Sequence, residues 1–206
     1  MSSAAAIEDA AAAVRRGGVV VYPTETLYGL GVDAGDPRAL ERLLLLKGRD
    51  AVRGVSVLVE TLETAAALVE GEPPAGARAL ADAFWPGPLT LVVRAAKSVD
   101  AALRGRSGGV GLRCSSDPIC QRLLAAVGRP LTSTSANLSG LPSATSIAEA
   151  RSFFGDRVDC YLDGGPRSAA TASTVVEFLD GSAYLRRSGA ISADRISAIV
   201  PILTEG

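Results

Sequence analysis

The chain has 206 residues, 48% hydrophobic and 21% charged, a balance that supports a folded core and excludes a disordered polyelectrolyte. Its formal charge of −1 provides no global field for nucleic acid or an anionic membrane, so any anion site must be a local cluster. The absence of histidine excludes Ser-His-Asp and Cys-His nucleophilic catalysis and His-based metal sites.

Ala4–Arg16 patterns as a helix that stops at Gly17-Gly18. Val19–Tyr22 reads as a short buried strand running into a polar turn, Pro23-Thr24-Glu25-Thr26. The following Tyr28-Gly29-Leu30-Gly31 contains GxG, but GxGxxG is missing and no helix follows, so a dinucleotide fingerprint is unsupported; no P-loop occurs either. Asp36-Pro37 caps a helix through Leu46. Lys47, Arg49 and Arg53 come next. Their spacing suits either solvated cations on a helix dipole or a clamp for an anion.

Val55–Val59 reads as a strand, Thr61–Val69 and Ala75–Phe84 as helices separated by Pro73-Pro74, and Phe84–Pro88 as a rigid turn. Leu89–Arg94 and Val110–Arg113 are strands. Arg113 ends an apolar run, where an unpaired cation is costly, so it needs a carboxylate from the protein or a ligand. Asp117-Pro118 opens a helix to about Val127, and Leu131–Ser133 is a short strand. Ser133, Ser135, Asn137, Ser139 and Ser143 then crowd one segment. Such residues make turns for local reasons, but this density also suits an anion-binding nest.

Ser146–Glu149 is a capping box for a helix through Phe154. Tyr161, Thr174–Phe178 and Ala183–Arg186 are late strands, and Ser192–Ile199 is a last helix. One of Arg186 and Arg187 is expected to point inward. The irregular alternation favours one α/β domain over residues 1–206, with a mixed sheet rather than a regular doubly wound fold. Three cysteines without a CxxC fit a reducing compartment, and neither a signal-peptide core nor a bilayer-length apolar run appears. A cytoplasmic protein is expected.

Taken in order, PTET-x-YGLG, K-x-R, WPGP-x-T, SANLSG and a late STVV…R-x-G resemble the YrdC-like family, the L-threonylcarbamoyladenylate synthases, from about Gly17 to Gly189. The resemblance implies a single-domain twisted mixed sheet with flanking helices around a concave basic cavity. It implies an ATP-dependent nucleotidyltransferase that makes threonylcarbamoyl-AMP from L-threonine, bicarbonate and ATP, with Mg2+ held mainly by substrate. Other enzymes then transfer the threonylcarbamoyl group to tRNA. By motif, Thr26, Arg113, Ser133 and Ser173 fall to L-threonine. Lys47, Arg49, Arg53, Ser135, Asn137, Ser143 and Arg187 fall to ATP, with Lys47 and Arg49 also the catalytic pair; no protein metal site is implied.

The sequence departs from the family pattern at Asp50, where proline is usual, at Leu58, near the place of a common histidine, and at Cys114-Ser115 after Arg113. The chain stops soon after the last helix, so the short form without a C-terminal extension is expected. Two rival readings stand beside this one: a paralogue that keeps the fold without the activity, and an RNA-binding module. Weak tRNA binding through a local patch stays open.

Overall fold

The computed structural model describes residues 2–48, 54–167 and 171–204. Among these, all but one of the α-helices begin where a side chain satisfies the first free N–H groups. Ser3 caps α1 (Ala4–Arg15) and Asp36 caps α2 (Pro37–Lys47), which ends at left-handed Gly48 (φ 60°). Helix α3 (Ala75–Phe84) follows Pro74 without a side-chain cap. Asp117 caps α4 (Pro118–Val127), Ser146 caps α5 (Ile147–Phe154) and Ser192 caps α6 (Ala193–Ser197).

The strands are β1 (Val20–Pro23), β2 (Tyr28–Gly31), β3 (Ser56–Leu58), β4 (Leu89–Arg94) and β5 (Gly109–Arg113). They continue with β6 (Leu131–Ser135), β7 (Cys160–Tyr161), β8 (Thr174–Leu179), β9 (Ser182–Arg187) and β10 (Ile202–Thr204). They form one mixed, twisted sheet in the order β10-β9-β8-β4-β5-β3-β6-β2-β1-β7. The pairs β9–β10, β4–β8, β3–β5 and β1–β7 are parallel; the other neighbours are antiparallel.

Strand alternation sends side chains to two cores. On one face Val20 and Tyr22 of β1 pack with Leu131 and with Ala10, Ala11 and Val14 of α1 and Leu123 and Leu124 of α4. On the other, Val19, Val21 and Leu30 join Leu40 and Leu43 of α2 and Leu80 of α3. Each fully buried Val or Leu contributes about 1.5–3 kcal/mol. The alanines of α1 are small enough to let that helix lie close to α4.

The structure departs from these expectations, or adds to them, in several elements. Thr61–Val69 is not a helix: it consists of turns with one 3-10 turn at Ala66–Leu68. Its threonines bond the local backbone instead, Thr61 N donating to Thr64 Oγ1 at 3.0 Å and Thr64 N to Thr61 Oγ1 at 3.2 Å. The YGLG segment is strand β2, and its glycines are steric necessities. A Cβ on Gly29 or Gly31 would stand 2.8 or 2.7 Å from the Tyr22 ring. The serine-rich strand β6 continues to Ser135, and β10 follows a last helix shorter than expected. No helix among the described residues is long and apolar enough to cross a membrane.

Candidate functional site

A cavity of about 360 Å³ opens over the middle of the sheet. The turn after β1 supplies Thr26, β5 supplies Arg113, β6 supplies Ser133 and Ser135, and β9 supplies Arg187. Ser143 and Ser173 come from the segments that lead into α5 and β8. Gly29, Gly109 and Gly111 line it without side chains, and a Cβ on Gly111 would sit 2.9 Å from Ser56 Oγ. Backbone and hydroxyls therefore form much of the wall.

Arg113 is only 7% exposed, and its Nη2 donates to Thr26 Oγ1 at 2.9 Å. The same nitrogen lies 3.0 Å from Glu25 Oε1, while Ser115 Oγ donates to Glu25 Oε2 at 2.5 Å. Glu25 Oε1 makes no aligned hydrogen bond, so the contact with Arg113 is coulombic rather than directional. Arg113 Nε is buried and has no hydrogen-bond partner among the described residues. A buried donor left in this state costs about 1–3 kcal/mol, which an oxygen ligand in the cavity would recover.

Arg187 is exposed overall, yet its guanidinium is tied down. Its Nε donates to the Ser173 carbonyl and its Nη2 to Ser173 Oγ, both at 2.9 Å. Partial desolvation lowers its pKa below the ordinary arginine value, and the Arg113 guanidinium adds to the effect. Two cations that repel each other in one cavity favour an anionic occupant. Arg186, its neighbour, instead pairs with Glu177 at 2.6 Å. Close approach of Gly189, whose Cβ would lie 2.5 Å from Ser173 backbone atoms, packs the RSG turn onto the Ser173 segment.

Lys47 and Asn137 do not line the cavity; both are buried behind it. Lys47 Nζ donates to the Ser135 carbonyl at 2.5 Å and to Asn137 Oδ1 at 2.8 Å. Ser135 Oγ donates to Asn137 Oδ1 at 2.6 Å, and Asn137 Nδ2 donates to the Leu141 carbonyl at 2.5 Å. The ammonium thus anchors the serine-rich loop from beneath. Arg49 and Arg53 lie outside the described residues.

Sequence reasoning missed several supporting groups. Glu25 was legible only as part of a polar turn, and Ser115 only as a departure from the family pattern. Asp117 was legible as a helix cap, but its Oδ2 also accepts from Arg167 Nη1 at 2.8 Å, and that nitrogen reaches the Thr24 carbonyl at 3.3 Å. This links α4 to the PTET turn. Leu58, near the family's histidine position, is fully buried among the α1 and α4 side chains and does not line the cavity. Burial raises the Cys114 thiol pKa and pushes that of Cys120 up to about 12, so neither is an activated nucleophile.

A second, larger cavity of about 740 Å³ lies between α3 and α4. Its lining carries Glu60, Glu63 and Asp82 against one cation, Arg78, which pairs with Glu63 and Glu72, so its net charge is the wrong sign for an anion. Among the described residues no cluster of three His, Cys, Asp or Glu could hold a metal ion.

The family profile described as Sua5_yciO_yrdC, telomere recombination, matches residues 12–189. A Mycobacterium tuberculosis relative is 41% identical over 196 residues, 95% of this chain and 89% of its own length. The threonylcarbamoyl-AMP synthase of Chromohalobacter salexigens is 38% identical over 87% of this chain and 96% of its own. The crystal structure of Pyrococcus abyssi Sua5 complexed with L-threonine is 34% identical and superposes with a TM-score of 0.90. It covers 96% of this chain, which spans 58% of the Sua5 chain. With sequence and fold in agreement along nearly its whole length, this chain belongs to the Sua5/YciO/YrdC family.

Proposed function

We propose that the chain is a threonylcarbamoyl-AMP synthase, a nucleotidyltransferase that joins L-threonine, bicarbonate and ATP and releases pyrophosphate. The observation that carries this reading is the pair of guanidinium groups in one hydroxyl-lined cavity. Arg113 is compensated by Glu25 and has a buried Nε to satisfy; Arg187 has no carboxylate partner among the described residues. Arg113 suits the single carboxylate of an amino acid, and Arg187 the heavier charge of a triphosphate. Relatives carry the synthase name, and a solved relative is complexed with L-threonine.

The chemistry fits a chain without histidine. The threonine amine attacks the carbon of bicarbonate; the N–C bond forms as one C–O bond breaks and its oxygen leaves as water, which gives an anionic carbamate. A carbamate oxygen then attacks the α-phosphorus of ATP, and the bond to the β-phosphate bridge breaks as pyrophosphate departs. The nucleophile is already charged, so the chain's work is orientation and charge stabilisation. Thr26 and Arg113 orient the amino acid, the Ser133 and Ser135 hydroxyls flank the junction, and Arg187 faces the phosphates. Lys47 places its charge beneath the Ser135 loop. Mg2+ would ride on the phosphates and water, since the cavity lining among the described residues offers hydroxyls and no carboxylate. The product would pass to tRNA threonylcarbamoyl-transfer enzymes.

The test is incubation with Mg-ATP, bicarbonate and L-threonine, with pyrophosphate measured and the adenylate sought by mass spectrometry. Threonine-dependent release is expected. ATP binding without threonine-dependent release would overturn the reading in favour of an inactive paralogue.

A further inference from the structure

We infer that Thr90, of the PGPLT segment on β4, is a positioning residue for Arg187 and acts through the Ser173 hydroxyl. This inference rests on the anion-binding reading of the cavity. Thr90 Oγ1 and Ser173 Oγ lie 2.9 Å apart, and both residues are 3% exposed while lining the cavity. Ser173 Oγ also accepts from Arg187 Nη2 at 2.9 Å. The backbone sets this meeting, because β4 and β8 run parallel with Thr90 opposite Val175, and Thr174 N donates to the Pro88 carbonyl at 3.0 Å.

Proton counting on this triad gives a consequence. Arginine only donates, so it occupies one lone pair of Ser173 Oγ. One hydroxyl hydrogen then bridges Ser173 and Thr90. Whichever residue supplies it, the other hydrogen has no acceptor among the described residues and is available to a ligand in the cavity. Thr90 therefore fixes the rotamer of Ser173, and Ser173 fixes the fork of Arg187. The pair presents one O–H donor beside a guanidinium that no carboxylate neutralises, a combination that suits a phosphate oxygen. Arg113, held separately by Glu25 and Thr26, is not part of this triad. Loss of Thr90 should therefore weaken nucleotide through Arg187 and, because the motif gives Ser173 to L-threonine, the amino acid as well.

The experiment compares wild type, Thr90→Val and Thr90→Ser. Valine keeps the branched shape without the hydroxyl, and serine keeps the hydroxyl. Thr90→Val is expected to raise the KM for ATP about ten-fold, in line with a lost hydrogen bond that orients a charged group. The KM for threonine should rise as well, and Thr90→Ser should restore both to within about two-fold of wild type. Direct ATP titration of each variant gives the same comparison without turnover, so a wild type that binds ATP but releases no pyrophosphate refutes the synthase reading alone. Unchanged ATP affinity in Thr90→Val overturns the inference. So does a loss of affinity accompanied by a lower melting temperature, neither of which serine restores.

Discussion

Arg113→Met separates what the Arg113–Glu25 pair does for stability from what it does for binding. The two side chains are 9% and 16% exposed and 3.0 Å apart, so methionine would leave a carboxylate largely out of water without its cation. Breaking a buried pair from one side costs about 3–5 kcal/mol. The low end applies here, about 3 kcal/mol, because Ser115 still donates to Glu25 Oε2. At roughly 2–4 °C per kcal/mol for a chain of this size, the melting temperature should fall by about 6–12 °C. The double variant Glu25→Gln/Arg113→Met removes both charges and should return to within about 1 kcal/mol of wild type. Thermal unfolding by circular dichroism at neutral pH reads the first effect, and calorimetric titration with L-threonine reads the second. Both variants should fail to bind threonine, while only the single one is unstable. A double variant as unstable as the single one, or a single variant that melts like wild type, would refute the argument that these charges are coupled.

Three other outcomes are expected. Lys47→Met should lower pyrophosphate release by roughly 10- to 100-fold through loss of the bonds to Ser135 and Asn137, and Lys47→Arg should not rescue it, because a planar fork cannot replace a compact ammonium; steady-state turnover checks this. Asp117→Ala should cost about 2–3 kcal/mol in urea unfolding, since it removes the α4 cap and strands Arg167, which is 16% exposed at its side chain. The Cys120 thiol pKa rises on folding from 9.0 to about 12, so the folded chain keeps a proton that the unfolded chain gives up; its stabilising effect is complete below pH 9 and is lost between pH 9 and 12. Cys120→Ala should flatten that part of the melting-temperature profile, and an unchanged alkaline slope would contradict the assignment.

Local chemistry made much of the framework legible. Asp36-Pro37, Asp117-Pro118 and Ser146 each stand where a helix begins, because a cap depends on residues within one turn. The failures have equally local or distinctly non-local causes. Thr61–Val69 has helical spacing, but its threonine hydroxyls win the competition for the backbone. Strand β2 was hidden because glycine is a poor strand former, and groups on the two neighbouring strands, the Tyr22 ring and the Thr132 carbonyl, explain why glycine is required. The cavity shows the same division. The cations and hydroxyls that face it were recognisable as anion-binding residue types. Their supports were not, because Thr90 meets Ser173 across 83 residues, Thr26 meets Arg113 across 87 and Glu25 meets Ser115 across 90. Lys47 was legible as a cation near an anion site, but its burial beneath the Ser135 loop was not.

The parallel pairing of β4 with β8 has a consequence for the growing polypeptide. Residue 90 finds its partners only at residues 173 to 175, and the guanidinium of Arg187 comes later still. Long-range closures of this kind form slowly and carry their entropic cost before any contact rewards them. A chain still attached to the ribosome therefore has a roofless cavity until its last hairpin, β8–β9, has cleared the exit tunnel. Nucleotide cannot template the earlier steps of folding; it can only stabilise the finished sheet, by mass action on the completed fold.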